Sequence, residues 1–277
     1  MYYDIASIIP KKPEDHSNFA VKKDSLFKQD IDYVFNENGN VGDDFVQNPD
    51  IIAIGKAVKA NGSLFLVDGV HLTPHAVIDF KNMPADFFGF SSYKILGPHC
   101  ASFVASPALL ETLSNDKLLP STLVVPERFE FGTLAYEIMA GVSASIDYLT
   151  TLDDQATGTR RERLVKSLTS LEEYEQSLFD YMAKELANLP GITIYSKAKH
   201  HTPTAYFNFT GVDAADLYKF MATKKVNLPA HNFYALEVSR ALGLGDTGAI
   251  RAGLAPYSTK DDVDRLISGL EEYLAKS

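Results

Sequence analysis

Polar side chains able to do chemistry follow two apolar runs, LFLV and FFGF, in the stretch from Leu64 to Pro98. These side chains are Asp68, His71, Ser91, Tyr93 and Lys94. Runs of Val, Leu and Phe that stop at polar clusters are typical of buried parallel strands. Because ligands bind beyond the carboxyl ends of the strands in open α/β sheets, we expect a carboxylate and an amine to converge on one ligand.

The spacing of Asp68 and Lys94 suggests what that ligand is. The connection between the two runs is long enough for a crossover between parallel strands. An acid and a lysine so placed suit pyridoxal 5'-phosphate, because lysine forms a Schiff base with it and an acid keeps its ring nitrogen protonated. The alternatives are that Asp68 is a turn residue before Gly69 and that Lys94 is an ordinary loop lysine.

The surrounding patterns predict an α/β fold. IIAIGKAVKA reads as a helix that leads through Asn-Gly into the first strand, and this unit is typical of doubly wound folds. A third strand-like run, CASFVAS, precedes a helix at 107–113, and an apolar stripe predicts a further helix after the loop FEFGT. The first fifty residues show no sustained period, so no element is assigned to them.

We expect two domains joined by a long helix. The segment after Thr159 has the clearest helical pattern and ends at Leu189-Pro190-Gly191. Beyond it, alternating strands and helices predict a small α+β domain, whose last helix is capped by Ser258 or Thr259. The predicted bounds are a large domain at 1–158, a connecting helix at 159–188 and the small domain at 189–277.

Composition narrows the class of protein. The chain has 277 residues, 45% of them hydrophobic, which is ample for a core. Its net charge of −10, without a basic block, argues against a nucleic-acid partner. It has no apolar run of about 18 residues and no signal-peptide pattern, so we expect a cytoplasmic location and no membrane association. The single cysteine, Cys100, excludes an intrachain disulfide.

Four motifs together resemble the class V aminotransferases, particularly their cysteine desulfurase-like branch. They are VDGVH, SSYKILGP, RFEFGT and AIRAGLAPYSTKDDVDRL, in the family's order over about three quarters of the chain. The resemblance implies a large domain of the pyridoxal-phosphate transferase type, fold type I, with a mostly parallel sheet. It also implies a homodimer with its active site at the interface and a small amino acid as substrate.

By position, the resemblance implies a role for each residue. Lys94 matches the internal aldimine lysine, Asp68 the partner of the ring nitrogen, and His71 the side chain that hydrogen-bonds the ring hydroxyl. The remaining matches are Ser91 and Tyr93 as phosphate ligands, Thr133 as a residue reaching the neighbouring subunit's phosphate, and Arg251 as the clamp for the substrate carboxylate. The alternatives are that His71 is structural, Thr133 a helix cap, and Arg251 the partner of an acid.

The chain departs from the family pattern in two places. The loop VNLPAHNFYAL lacks the persulfide-forming cysteine of desulfurases and carries His231 and Tyr234, which become candidate substrate contacts. Cys100 lies in an apolar run, where we expect a buried, inert thiol.

The second departure is that only 63 residues precede Leu64, too few for the family's phosphate-binding turn. We expect missing segments before Asp50, with a break around Val46 to Asn48, rather than a truly short chain. The expected function is a pyridoxal-phosphate enzyme acting on a small amino acid. The alternative is an inert relative that serves as a binding or dimerisation module.

Overall fold

The computed structural model describes residues 51–130, 132–196 and 201–276. The break expected before Asp50 lies outside these residues. The described chain divides into two compact units, the first ending at Leu168 and the second beginning at Thr169. The division falls inside one long helix, and the domain bounds proposed from the sequence stay a prediction.

The first unit contains a three-stranded sheet and its helices. Its elements are α1 (Ile51–Ala60), β1 (Leu66–Asp68), β2 (Phe87–Ser91), β3 (Ala101–Ala105), α2 (Pro107–Thr112), α3 (Tyr136–Leu149) and the first turns of α4 (Arg160–Ala187). β1 and β2 pair in parallel, as their apolar runs predict, whereas β3 is antiparallel to β2. The short link between β2 and β3 explains this direction, since a parallel crossover needs a dozen or more residues.

The core of the first unit lies where α1 packs against the sheet. Val58 on α1 is buried together with Phe65, Val67 and Phe88. Asp86 fixes the entry to β1 because one of its carboxylate oxygens accepts a hydrogen bond from Phe65 N at 2.8 Å. These contacts hold β1, which ends at Asp68, against α1 and β2.

The apolar stripe predicted on α3 is covered over only part of its length. Leu149 is 4% exposed, whereas Tyr136 and Met139, near the start of the helix, are 65% and 49% exposed in this chain. Periodicity correctly predicted the helix, but it could not indicate which turns pack within the chain. None of the helices in the described ranges is long and apolar enough to cross a membrane.

The second unit is an antiparallel sheet covered by helices, in agreement with the predicted α+β character. Besides the rest of α4 it comprises β4 (Ile192–Ile194), β5 (Thr204–Phe209), α5 (Ala214–Thr223), β6 (Ala230–His231), α6 (Leu236–Ala241), β7 (Ala249–Gly253) and α7 (Lys260–Leu274). The strand order is β4-β5-β7-β6, so β7 lies between two partners. Thr259 caps α7 through a capping box with Asp262, which settles the predicted choice between Ser258 and Thr259.

Candidate active site

The carboxyl ends of β1 and β2 meet at one edge of the first sheet. Asp68 is the last residue of β1 and pairs in parallel register with Gly89, two residues before the end of β2. The half-buried Asp68 carboxylate accepts a hydrogen bond from Val70 N at 2.9 Å. This bond fixes the carboxylate at the start of the turn that follows the strand.

Gly69 lets this turn pass close to the neighbouring strand. A Cβ atom at Gly69 would lie 1.9 Å from the ring of Phe88, so a larger residue would displace the turn. Within the turn, His71 is 9% exposed, and its ring meets His75 edge-on at 5.5 Å between centroids. The turn therefore places Asp68 and a buried imidazole in one short segment.

Lys94 lies in a tight turn directly after β2. Residues Ser92–Ile95 form a 3-10 turn that Leu96 ends in the left-handed conformation, at φ 62°. Ser92 is fully buried, and its hydroxyl lies 2.6 Å from Pro98 O and 3.0 Å from Cys100 O. The buried hydroxyl of Ser92, in the same turn as Lys94, thus closes the loop between β2 and β3.

Helix α3 holds the same turn from a second direction. The buried hydroxyl of Ser145 donates a hydrogen bond to the backbone carbonyl of Ile95, the residue after Lys94. A Cβ at Gly97 would approach Ser92 O to 2.8 Å and Ser145 Oγ to 3.2 Å, so the absence of a side chain there permits this packing.

The side chains of Tyr93, Lys94 and His99 form a stack. The rings of Tyr93 and His99 are nearly parallel, 13° apart, with centroids at 5.2 Å. Lys94 Nζ lies 5.3 Å from the Tyr93 ring centroid, within the range of a cation–π interaction. Tyr93 thus contacts the lysine directly, while its role as a phosphate ligand stays a prediction.

The other predicted residues of the first unit lie at element ends. Ser91 is the half-buried last residue of β2 and pairs with Ala101. Thr133 is exposed in the bend before α3. The alternative that Thr133 caps this helix is wrong, because Ala135 is the N-cap residue and makes no side-chain cap bond.

Cys100 is half-buried rather than buried, which corrects the sequence-based expectation. It lies just before β3, and its sulfur is 3.0 Å from Ser92 Oγ. The hairpin turn, rather than the apolar strand, determines its exposure.

The second unit gathers Arg251, His231 and Tyr234 around one loop. Arg251 lies in the middle of β7 opposite Tyr206, and its guanidinium carbon is 4.1 Å from the ring centroid of Phe233. His231 is the exposed last residue of β6, and Tyr234 is 92% exposed. The His231 ring centroid lies 6.2 Å from that of Phe233 and 6.5 Å from that of Tyr234, so the loop with these two residues lies beside both His231 and Arg251.

Sequence reasoning missed four residues of these arrangements: Ser92, His99, Ser145 and Phe233. Ser92 and His99 could have been noticed because they flank motif residues. Ser145 lies fifty positions from its partner Ile95, so no local pattern reveals the contact. Among the described residues, no cluster of three or more His, Cys, Asp or Glu side chains could hold a metal ion.

Comparison with known proteins identifies the family. A family model described as aminotransferase class-V matches residues 46–266, most of the chain. The chain belongs to the class V aminotransferase family. This confirms the resemblance and the fold class predicted from the four motifs. Class V aminotransferases depend on pyridoxal 5'-phosphate, the cofactor that the spacing of Asp68 and Lys94 suggested.

The chain spans about half the length of the curated relatives it matches. A cysteine desulfurase of Salmonella choleraesuis is 30% identical over 235 residues, which cover 80% of this chain and 53% of the relative. An uncharacterised protein of Mycobacterium tuberculosis is 31% identical over 223 residues, covering 80% of this chain and 55% of that protein.

Solved cysteine desulfurases share the fold. The cysteine desulfurase CsdA of Escherichia coli superposes with a TM-score of 0.69 at 26% identity, covering 82% of this chain and 55% of that one. The apo cysteine desulfurase of Thermococcus onnurineus NA1 gives a TM-score of 0.69 at 23% identity, covering 82% of this chain and 56% of that chain. The second likeness concerns the fold alone.

The residues at the edge of the first sheet fit the ring of the family's cofactor. A half-buried carboxylate, a buried imidazole and a primary amine follow two adjacent parallel strands. Such a set can pair with a protonated ring nitrogen, hydrogen-bond a ring hydroxyl and bind an aldehyde covalently. Asp68, His71 and Lys94 therefore fit the chemistry that this ring requires.

Proposed function

We propose that this chain belongs to a pyridoxal-phosphate enzyme that acts on a small amino acid. The observation that carries the proposal is the parallel register of β1 and β2, which brings the Asp68 and Lys94 segments to one sheet edge. A binding module of the same fold would not need a carboxylate and an amine at these two positions.

Each side chain has a distinct role in binding the cofactor. Lys94 Nζ would attach the cofactor, Asp68 would hold the ring nitrogen protonated, and His71 would bind the ring hydroxyl. Ser91 and Tyr93 would contribute to phosphate binding, together with Thr133 from the partner in a homodimer. When bound, the cofactor supplies an electron sink that stabilises negative charge on the substrate's α carbon.

Substrate binding and proton transfer use other atoms. We propose that Arg251 binds the substrate carboxylate with its planar set of donors, and that His231 and Tyr234 contact the rest of the substrate. Lys94 Nζ would then act as the base that takes the substrate's α proton and returns it. These roles are common to transamination, β-elimination and racemisation.

Desulfuration through a loop cysteine is a weaker candidate. The loop of residues 226–236 contains no cysteine, and the chain's single thiol, Cys100, is tied into the hairpin beside Ser92. We therefore propose a reaction that does not pass sulfur to a residue of that loop.

The second candidate function is a binding or dimerisation module without catalysis. It is favoured by the exposure of several large apolar side chains on the first unit, those of Phe103, Leu118, Leu119, Leu123 and Val124. Exposed apolar side chains can contribute to an interaction surface. They also suit a catalytically active homodimer, so they do not separate the two candidates.

Absorbance spectroscopy tests the lysine on which the proposed function depends. The protein incubated with pyridoxal 5'-phosphate should show the visible band of a lysine-linked cofactor. Lys94→Ala should abolish the band, and Lys81→Ala, which removes an exposed lysine of the same unit, should retain it. A band that persists in Lys94→Ala would refute the assignment. An intact mass well above 30.5 kDa for the natural protein would favour the enzyme over the inert module.

A further inference from the structure

Two adjacent aromatic residues in the second unit have an unusual backbone conformation. Phe233 and Tyr234 have φ values of 53° and 68°, in the left-handed region that bulky residues seldom occupy. Such conformations are unfavourable and persist only where the surroundings impose them, often at ligand-binding sites. Contacts with neighbouring residues must therefore hold Phe233 and Tyr234 in this conformation.

Asn232 imposes the conformation. It is 9% exposed, and its side-chain oxygen accepts a hydrogen bond from Tyr234 N at 2.9 Å. Its side-chain nitrogen donates to Asp246 O at 2.8 Å, which anchors the loop to the turn before β7. Phe233 N in turn donates to the His231 ring at 3.2 Å. The loop is thus held through both of its strained residues.

The chain before β7 approaches the same loop closely. A Cβ at Gly248 would lie 2.2 Å from His231 O, so only glycine permits this approach. The buried hydroxyl of Tyr206 accepts a hydrogen bond from Ala249 N at 2.8 Å and lies 3.3 Å from His231 O. These contacts join the loop to the two strands that carry Arg251 and its cross-strand partner.

These hydrogen bonds and close contacts fix the position of the Phe233 ring. Its centroid lies 4.1 Å from the guanidinium carbon of Arg251 and 6.1 Å from the ring centroid of Tyr206, whose ring is at an interplanar angle of 77°. Tyr206 and Arg251 are directly opposite each other on β5 and β7. The ring is therefore fixed by a buried tyrosine and lies against the guanidinium.

We propose that Phe233 is a positioning residue for Arg251, an aromatic platform that orients the guanidinium for the carboxylate of an amino acid. This inference rests on the proposed carboxylate-binding role of Arg251. A guanidinium stacked on an aromatic face directs its N–H donors within its own plane, which matches the two oxygens of a carboxylate. Asn232 sets the platform by holding Phe233 and Tyr234 in their left-handed conformation.

Simple packing is the competing explanation for Phe233, since it also lies beside the small cluster of Tyr206 and Ala249. A packing role requires apolar volume, whereas a platform requires an aromatic face. Phe233→Leu keeps most of the volume and removes the face, and Phe233→Tyr keeps both. Phe220→Leu is the matched control, because Phe220 also lies near ammonium groups, those of Lys224 and Lys276, which follow the ends of α5 and α7.

The experiment measures labelling of Arg251 by phenylglyoxal in the full chain, located by peptide mass spectrometry. L-Alanine should slow labelling of Arg251 in the wild type, and L-alaninamide, which lacks the carboxylate, should not. In Phe233→Leu the concentration of L-alanine that gives half protection should rise about three- to thirtyfold, the range expected for loss of a cation–π contact. Phe233→Tyr and Phe220→Leu should match the wild type.

Unchanged protection in a folded Phe233→Leu would overturn the platform, even if the cofactor attaches to Lys94. Failure of L-alanine to protect wild-type Arg251 would overturn the inference together with the role of Arg251, while attachment at Lys94, measured separately, would keep the cofactor assignment intact. Should Phe233→Leu fail to fold, Phe233→Met gives the same test, since it is also apolar and lacks an aromatic face.

Discussion

The hydroxyl of Ser145 on α3 donates a hydrogen bond to the backbone carbonyl of Ile95, the residue that follows Lys94. Both residues are buried, at 6% and 4% exposure, so water has little access to the carbonyl if the serine is lost. Together with Ser92 on the other side, Ser145 fixes the turn that presents the proposed cofactor lysine.

Ser145→Ala should therefore loosen the Lys94 turn and lower stability. Leaving a buried carbonyl without its donor costs about 1–3 kcal/mol. We expect a fall of that size in the free energy of unfolding by urea, and faster hydrogen exchange at Gly97 N, which is bonded to Ser92 O. Ser143→Ala is the control, because Ser143 is exposed on the same helix and its replacement should change stability by less than about 0.5 kcal/mol. Equal effects of the two substitutions would contradict the anchoring role.

Gly69→Ala should disturb the turn after Asp68. The added methyl group would lie 1.9 Å from the Phe88 ring, which is 2% exposed and has little room to move. Overpacking of this kind typically costs about 1–3 kcal/mol. Gly89→Ala provides the comparison on the paired strand, because its nearest neighbour, Phe103, is 3.0 Å away but 70% exposed and free to shift. Thermal unfolding should show the larger loss for Gly69→Ala, and the reverse order would refute the steric argument.

Glu272 should make the second unit sensitive to acid. The hydrogen-bonded ammonium groups of Lys224, at 2.6 Å, and Lys276, at 2.7 Å, lower the pKa of Glu272 from its usual 4.5 to about 2. A carboxyl whose pKa is lower in the folded state stabilises the fold above its unfolded pKa. This contribution is lost as the pH falls from about 4.5 to about 2.

Urea unfolding of the wild type and Glu272→Gln tests this window. The wild type should unfold at a higher urea concentration at pH 7, and the difference should shrink through the acidic range and vanish only below about pH 2. Glu271→Gln, which alters the preceding carboxylate of α7, should not reproduce this dependence. A difference between wild type and Glu272→Gln that stays constant with pH would exclude the ion pairs as its cause.

Local patterns predicted most elements because their cause is local. The apolar spacing of residues 51–60 and the long polar-apolar repeat after Thr159 correspond to α1 and α4. Thr259 was one of two predicted caps, since a hydroxyl before an acidic first turn satisfies backbone donors at any helix start. The direction of β3 and the exposure of α3 depend on what the strands and helix meet in space, and periodicity does not encode that.

The candidate site likewise combines features that local sequence patterns predict with features that depend on packing in space. The segments of Asp68 and Lys94 were placed by their positions after two apolar runs, because parallel strands must end at one edge. The Tyr93–His99 stack and the Phe233 platform depend on tight turns that fold side chains back on their neighbours. Ser145 depends on the packing of a helix fifty residues away along the chain. Such contacts have no signature at fixed spacing.

The most direct test of the account is the site at which the cofactor attaches. The full chain incubated with pyridoxal 5'-phosphate, reduced with borohydride and digested, should yield one phosphopyridoxyl group, located by mass spectrometry on Lys94. Lys94→Ala should show only the background labelling of other lysines. Lys81→Ala, the exposed control, should still carry the group on Lys94. Two results would contradict the central claim that this chain's catalytic lysine is Lys94. One is specific attachment at another lysine, and the other is as much attachment in Lys94→Ala as in the wild type.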